Sequence, residues 1–394
     1  MGKCFSITAL LDRRLKKSFS RAGLKSTTND LGDGTVITCW VPKSHDPTKL
    51  TLLLIHGIGA NAMWQFYEFI STLCSKFNVY VPNLVFFGDS YTTRPDRTEA
   101  FLAECVMRVI ERYGLERMHV VGLSYGGYVA YSFAAQFPNM VDRLVILAAG
   151  VSMEETDLDA GLFKFKSVDE SIEILLPQKP QKVRELVHLS FYKPPKFLPT
   201  FFLKDFIQVM WTAYRQERKE LVYALYKDRK LSELPKITQV KFVYDSTPVP
   251  PMVGDYKANT DNMGRTRSRI PAGIGAQIEK VIVKNLMSLF IYIRVLILRF
   301  ISFGCLIAFF RRLGMHLSQL NWSRYVFISF IETGSGGTFL CRHLGKNAQL
   351  VIIKNAGHAI NAEKPKELLQ HLKSYLFDPL PPQLDSDGTN PNAA

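Results

Sequence analysis

The sequence predicts an α/β fold: a mostly parallel, doubly wound sheet with a helical cap over one end. Three observations predict it. Continuous apolar runs at 50–55 and 144–148 read as strands buried on both faces, the condition of strands inside a parallel sheet. Stretches of helical patterning, 62–75 and 98–113, alternate with them, and that alternation implies crossover connections. From Val151 to about Pro235 the pattern changes to helical patches broken by proline, which reads as an insertion after the strand ending near Ala148.

Residues 1–30 form a basic segment, with seven Lys/Arg against two acids. No sustained apolar run follows the first charges, so no secretory leader is expected. Met1-Gly2-Lys3-Cys4-Phe5-Ser6 fits the N-myristoylation pattern, with Cys4 as a second acylation site and Arg13, Arg14, Lys16 and Lys17 as a basic patch. One acyl chain holds a protein only marginally to a bilayer, so two signals together make anchoring coherent; the other reading is a frayed basic terminus.

The first part of the core spans 31–150. Val36 to Val41 alternates like an early strand, and the run 50–55 ends in His56-Gly57-Ile58-Gly59. A helix at 62–75, a strand at 79–82 and a helix at 98–113 lead to Met118-His119-Val120-Val121-Gly122-Leu123-Ser124-Tyr125-Gly126-Gly127-Tyr128. This is a buried strand, a G-x-S-x-G turn and an apolar helix in succession, the context of a nucleophile elbow. Glycines flank the serine because so tight a turn leaves no room for a Cβ, and the helix beyond aims N–H groups at developing negative charge. Ser124 is the candidate nucleophile.

The cap, 151–235, shows helical patches at 182–190 and 202–226 between breaks at Pro177, Pro180, Pro194, Pro195 and Pro199. Phe197, Leu198, Phe201, Phe202 and Leu203 form either an apolar mouth or the cap's own core. The second part of the core comprises 236–245 and 341–378. Val240 to Asp245 can make a strand, and 349–353 is a last buried strand. Asn355-Ala356-Gly357-His358-Ala359 follows it, then a helix over 363–377 and a Pro/Asp/Asn-rich tail, 379–394, expected to be disordered. A histidine directly after the final strand is placed to be the general base for Ser124.

Between them, residues 246–340 are atypical. Gly264 to Pro271 has no apolar period, and 286–310 is apolar but interrupted by Arg294 and Arg299. About eighteen apolar residues at roughly −0.4 kcal/mol each favour membrane insertion by about 7 kcal/mol, against about 5–6 for the two arginines. Topology weighs more: a single pass here would put Ser124 and His358 on opposite sides of a bilayer. A membrane-surface or loosely packed segment is therefore expected. The stretch 240–340 also reads as unspliced or misassigned coding sequence, which transcript sequencing across it would test.

Net charge is +14, and residues 1–30 and 246–338 (eleven Lys/Arg against four acids) hold +12 of it, so the catalytic body is nearly neutral. No nucleic-acid-binding motif accompanies the charge, and no nucleic-acid partner is expected. The cysteines Cys4, Cys39, Cys74, Cys105, Cys305 and Cys341 show no C-x-x-C spacing and no histidine cluster, which argues against a zinc site or a disulfide framework. The expected setting is cytoplasmic, with Gly2 and Cys4 or the 286–310 segment as routes to a membrane surface.

Four stretches together resemble the plant α/β-hydrolase-fold proteins of the epoxide-hydrolase-like and monoacylglycerol-lipase-like group: G-L-S-Y-G-G around Ser124, His56-Gly57-Ile58-Gly59, V-P-N-L-V-F-F-G-D-S (81–90) and N-A-G-H-A-I-N-A-E-K-P (355–365). The resemblance covers about 20–239 and 341–378. It implies an oxyanion hole from the Ile58 and Tyr125 N–H groups, Ser124 as nucleophile, His358 as base, and no metal or cofactor. Epoxide hydrolases of this fold use an aspartate nucleophile, so a serine at this position favours a carboxylic ester, small or lipid, as substrate. The family's acid loop, W-G-E-x-D-x-V-F-P, is absent: family-like text stops at Gln239 and resumes near Leu340. Asp245, at the end of the candidate strand, is the nearest substitute acid; Asp255, Glu154 and Asp157 are the others. A chain without a working acid would be a ligand-binding protein of the same fold, and that is the second reading.

Overall fold

The structure, a computed structural model, describes residues 6–152, 154, 155, 158, 165–227, 229–237, 240–246 (backbone alone), 343 and 348–377. Nine strands among them form one sheet: β1 (Leu24–Asp30), β2 (Thr35–Pro42), β3 (Thr51–Ile55), β4 (Asn78–Pro82), β5 (Tyr91–Thr92), β6 (Met118–Leu123), β7 (Val141–Leu147), β8 (Val240–Ser246) and β9 (Ala348–Ile353). The order is β1-β2-β4-β3-β6-β7-β8-β9, with β5 on β2. β2 runs antiparallel to β1, β4 and β5, while every pair from β4 through β3 to β9 is parallel. Every residue of β3, β4 and β6 is buried, as their unbroken apolar runs require. Leu52, Leu53, Leu54 and Ile55 are each at most 1% exposed. At about 1.5–3 kcal/mol per side chain, this one strand contributes on the order of 10 kcal/mol of burial.

Helices α1 (Ile7–Arg21), α2 (Ala62–Cys74), α3 (Glu99–Arg112) and α4 (Tyr125–Gln136) belong to the core. The side chains of Asn61 and Thr98 cap α2 and α3, accepting from Trp64 N–H and Phe101 N–H at 3.3 and 3.2 Å. The cap follows β7 as α5 (Val168–Leu175), α6 (Pro180–Ser190), α7 (Thr200–Met210) and α8 (Arg215–Tyr226). After β9 come a short α9 (Ile360–Glu363) and α10 (Pro365–Phe377).

Three parts of the sequence reading change. The basic segment 1–30 is no frayed appendage from Ile7 onward. Ser6 caps α1 by accepting from Ala9 N–H, Leu11, Leu15 and Phe19 are buried against the body, and 24–30 is an edge strand. The helical period was legible there in Leu11, Leu15 and Phe19, but the charge density masked it. The patch 202–226 is two helices, because Tyr214 takes a left-handed conformation (φ 53°) at the start of α8. Of the five apolar cap residues, Phe202 and Leu203 are buried, Leu198 is half-buried, and Phe197 and Phe201 stand 49% and 52% exposed. The reading as mouth and the reading as core each hold for part of the group.

The cap is fastened to the core at α8. Arg218, only 4% exposed, donates to the Phe86 carbonyl at 2.8 Å and to that of Met210, with its guanidinium 4.4 Å from the Phe87 ring centroid. Burial pushes this guanidinium down to about 10. Arg97–Glu220 (2.7 Å) and Arg229–Glu99 (2.6 Å) add two ion pairs between cap and core. Residues 1–5, 246–340 (save the backbone of Ser246) and 379–394, with Gly2, Cys4, Asp255 and the 286–310 segment, lie outside the described residues.

Candidate active site

Ser124 stands between β6 and α4 with φ 55° and ψ −124°, a backbone conformation that a residue bearing a Cβ adopts only when its surroundings impose it. Two backbone bonds impose it: Ser124 N–H donates to Leu147 of the neighbouring strand at 2.8 Å, and its carbonyl accepts from Gly127 N–H at 2.8 Å. The flanking glycines are steric necessities. A Cβ on Gly122 would run into the Gly126 carbonyl and Ala130, and one on Gly126 into the carbonyls of Ile55 and His56. Sequence reasoning located this turn correctly.

The His56-Gly57-Ile58-Gly59 loop lies beside it. His56 is fully buried, and its Nε2 accepts from Leu84 N–H at 2.9 Å, so Nδ1 carries the proton that is donated to the Gly57 carbonyl at 2.7 Å. Burial holds this imidazole down at about 4, so it stays neutral. Gln65 on α2 clasps the same loop: its Oε1 accepts from Gly57 N–H at 2.7 Å and its Nε2 donates to the carbonyls of Gly57 and Ala60 at 2.9 and 3.0 Å. With Gly57 thus occupied, Ile58 lines the cavity beside Ser124. Tyr125 opens α4, where no preceding helical carbonyl exists to accept its N–H.

His358 sits in the loop from β9 to α9, and one contact is decisive: His358 Nε2 lies 2.8 Å from Ser124 Oγ, across 234 positions of sequence. The two residues that a single membrane pass between them would separate are in contact. Burial pushes the His358 imidazole down to about 4, so the ring is neutral near pH 7 and able to accept a proton.

Glu363 at the end of α9 holds this loop. Its Oε2 accepts from Gly357 N–H at 2.6 Å and Tyr192 N–H at 3.0 Å, and its Oε1 from Lys193 N–H at 3.0 Å. One carboxylate thus ties the residue before His358 to the chain leaving α6. Ala359 N–H adds a bond to the Ser190 carbonyl at 2.8 Å. Asn361 Nδ2 donates to the Gln65 backbone at 3.0 Å, linking the histidine loop to α2. Sequence reasoning missed Glu363, Asn361 and Gln65 as parts of the site. For Asn361 and Glu363 the signal was two polar residues in the short apolar stretch after His358, while Gln65 left none.

For the candidate acid, the backbone gives a position. Leu123 pairs with Leu147, Leu147 with Tyr244, and Asp245 with Ile352, so Asp245 stands at the carboxyl edge of the sheet, between the strands leading to Ser124 and His358. Its side chain lies outside the described residues, as do Asp255 and Asp157, while Glu154 is described in the loop after β7. Among the described residues, no group of three or more His, Cys, Asp or Glu is arranged to hold a metal.

Ser124 and His358 open into a cavity of about 230 Å³ under the cap. Its walls are apolar: Leu175, Val183, Leu186 and Val187 from α5 and α6, and Phe202, Leu203 and Phe206 from α7, with Trp211 beyond. Among the described residues, no Asp, Glu, Lys or Arg lines it.

A family model described as alpha/beta hydrolase fold matches residues 51–225, from β3 into α8. The mostly parallel sheet with flanking helices agrees with it. This chain has the α/β-hydrolase fold. An uncharacterized protein of Mycobacterium tuberculosis is 34% identical over 125 residues, 32% of this chain and 36% of that protein. The carboxylesterase YbfK of Bacillus subtilis is 33% identical over 102 residues, 25% of this chain and 33% of its own length. The matches thus span about a third of these relatives. Among solved structures, a membrane phospholipase A described as a bacterial virulence factor superposes with a TM-score of 0.58 at 19% identity, covering 94% of this chain and 91% of that one. At that identity the likeness is one of fold.

Proposed function

We propose that this α/β-hydrolase-fold chain is a serine hydrolase that cleaves a carboxylic ester with an apolar acyl group. The observation that carries the reading is the 2.8 Å contact between His358 Nε2 and Ser124 Oγ at a strained turn facing an apolar cavity. Ser124 Oγ attacks the ester carbon as its proton passes to His358 Nε2. The N–H groups of Ile58 and Tyr125 take the oxyanion. The carbon–alkoxy bond breaks, His358 returns the proton to the departing alcohol, and a water deprotonated by His358 releases the acid from Ser124. Asp245 is the candidate partner of the histidine.

The apolar walls of the cavity, with no charged side chain among the described lining residues, support a neutral, apolar acyl chain, and a lipid acyl ester is the finer form of the proposal. The plant group resembled in sequence belongs to the same proposal, as do a cytoplasmic setting and acylation at Gly2 and Cys4. The test is hydrolysis of p-nitrophenyl esters from C2 to C12, with a burst of nitrophenolate equal to the enzyme concentration. Ser124→Ala should abolish burst and turnover. Saturable binding of the corresponding acids by folded wild type without any burst would instead favour the ligand-binding reading.

A further inference from the structure

The exposed sides of α1 and α7 share a composition that the cavity does not explain. α1 turns Leu11, Leu15 and Phe19 inward and leaves Arg13, Arg14, Lys16, Lys17 and Arg21 exposed, with Leu10 among them at 37%. Those positions are the outward stripe of a 3.6-residue period. α1 packs on α7, and the Thr8 N–H at its start donates to Asp205 Oδ2 on α7 at 2.7 Å. α7 in turn has two sides. Phe202, Leu203 and Phe206 wall the cavity, while Phe201, Lys204 and Val209 face solvent. The loop before it exposes Lys193, Lys196 and Phe197. The acids on these elements are Asp12 and Asp205, and both are engaged: Asp12 by Trp64 Nε1 at 3.1 Å, by Asn61 and by Lys16, Asp205 by the Thr8 N–H. Arg21 aside, seven cations therefore stand against these two acids, with Lys16 paired to Asp12.

We infer that the outward stripe of α1, with Phe197, Phe201 and the lysines beside them, is a docking surface for an anionic lipid bilayer. Large exposed aromatics between lysines fit the headgroup layer, where an apolar ring inserts and a charge meets phosphate. Charge complementarity selects an anionic leaflet over a neutral one. α1 cannot supply the apolar wedge itself, because its apolar stripe is spent on the protein, so the rings of the cap do. The docked face then adjoins the helix that walls the cavity. Docking does not depend on the ester-hydrolase reading, since Ser124→Ala protein should bind equally well.

The test uses unacylated full-length protein and vesicles of phosphatidylcholine with or without 30% phosphatidylserine. Wild type and Ser124→Ala should co-sediment with the anionic vesicles only, more weakly in high salt. Each basic residue near such a surface is worth about fivefold in partitioning, so changing Arg13, Arg14, Lys16 and Lys17 together to Gln should weaken binding by roughly a hundredfold or more. Phe197→Ser with Phe201→Ser should weaken it by about tenfold or more, the loss of two partly inserted rings. In Phe201→Trp protein, brominated acyl chains should quench the new fluorophore. Equal binding to neutral vesicles, unchanged binding by the four-charge variant with its circular dichroism intact, no quenching at position 201, or tighter binding to single-stranded RNA than to vesicles would each overturn the proposal.

Discussion

Glu363→Ala should loosen the histidine without touching the serine. The carboxylate accepts three backbone N–H groups, at 2.6 Å from Gly357 and 3.0 Å from Tyr192 and Lys193. Gly357 is buried, so its orphaned N–H costs about 2 kcal/mol, a typical value for a lost bond to a charged acceptor. Tyr192 is half-buried and Lys193 exposed, and water can replace their bonds at about 0.5–1 kcal/mol each. The sum, about 3–4 kcal/mol, falls on the junction between the His358 loop and the end of α6. If it is expressed as displacement of His358 from Ser124, kcat for a p-nitrophenyl ester falls several hundredfold, roughly 150- to 900-fold, because each 1.36 kcal/mol is tenfold. KM should change little, since Glu363 does not line the cavity. Glu363→Gln keeps one carbonyl oxygen and should lose roughly half as much free energy. Stopped-flow burst kinetics with thermal melts separate the outcomes. An Ala variant with kcat within threefold of wild type and an unchanged melting temperature would show that the clamp does not position the base.

Other predictions follow from the same geometry. His358→Gln should fold normally yet lower kcat by at least about a thousandfold, read with the ester series. The buried histidines make the fold acid-sensitive. His56, His119 and His358 are each held near 4 by burial, below the ordinary imidazole value of 6.5. The unfolded chain therefore binds protons first as pH falls, and stability is full above about 6.5 and drains between 6.5 and 4. Each histidine accounts for up to about 3 kcal/mol of that loss. Urea midpoints at pH 7 and pH 4.5 should differ accordingly, and equal midpoints would show that these rings protonate freely in the fold. Val187→Phe adds a ring to the cavity wall and should shift the preferred acyl chain downward by two or more carbons. An unchanged chain-length profile would place the acyl group elsewhere.

The core was legible because its rules are local. Parallel strands buried on both faces write unbroken apolar runs, and a turn too tight for a Cβ writes glycines on either side of its serine. The order of Ser124 and His358 could be read from their positions after β6 and β9, although 234 residues separate them. What escaped was carried by single polar side chains bonding to distant backbone. Glu363 reaching the chain after α6, Gln65 holding Gly57, and Arg218 fixing α8 under the Phe86 carbonyl leave no periodic trace. The first helix was obscured for another reason: its outward charges outnumber the three apolar residues that bury it.

The central claim is that Ser124 is an activated nucleophile because His358 accepts its proton. A fluorophosphonate probe measures that directly on the folded protein, without knowledge of the substrate. One equivalent should be taken up at pH 7.5, mapped to the peptide containing Ser124, with none in Ser124→Ala and a rate at least a hundredfold lower in His358→Gln. Absence of labelling in folded wild type, or labelling that persists at the same rate without His358, would contradict the account.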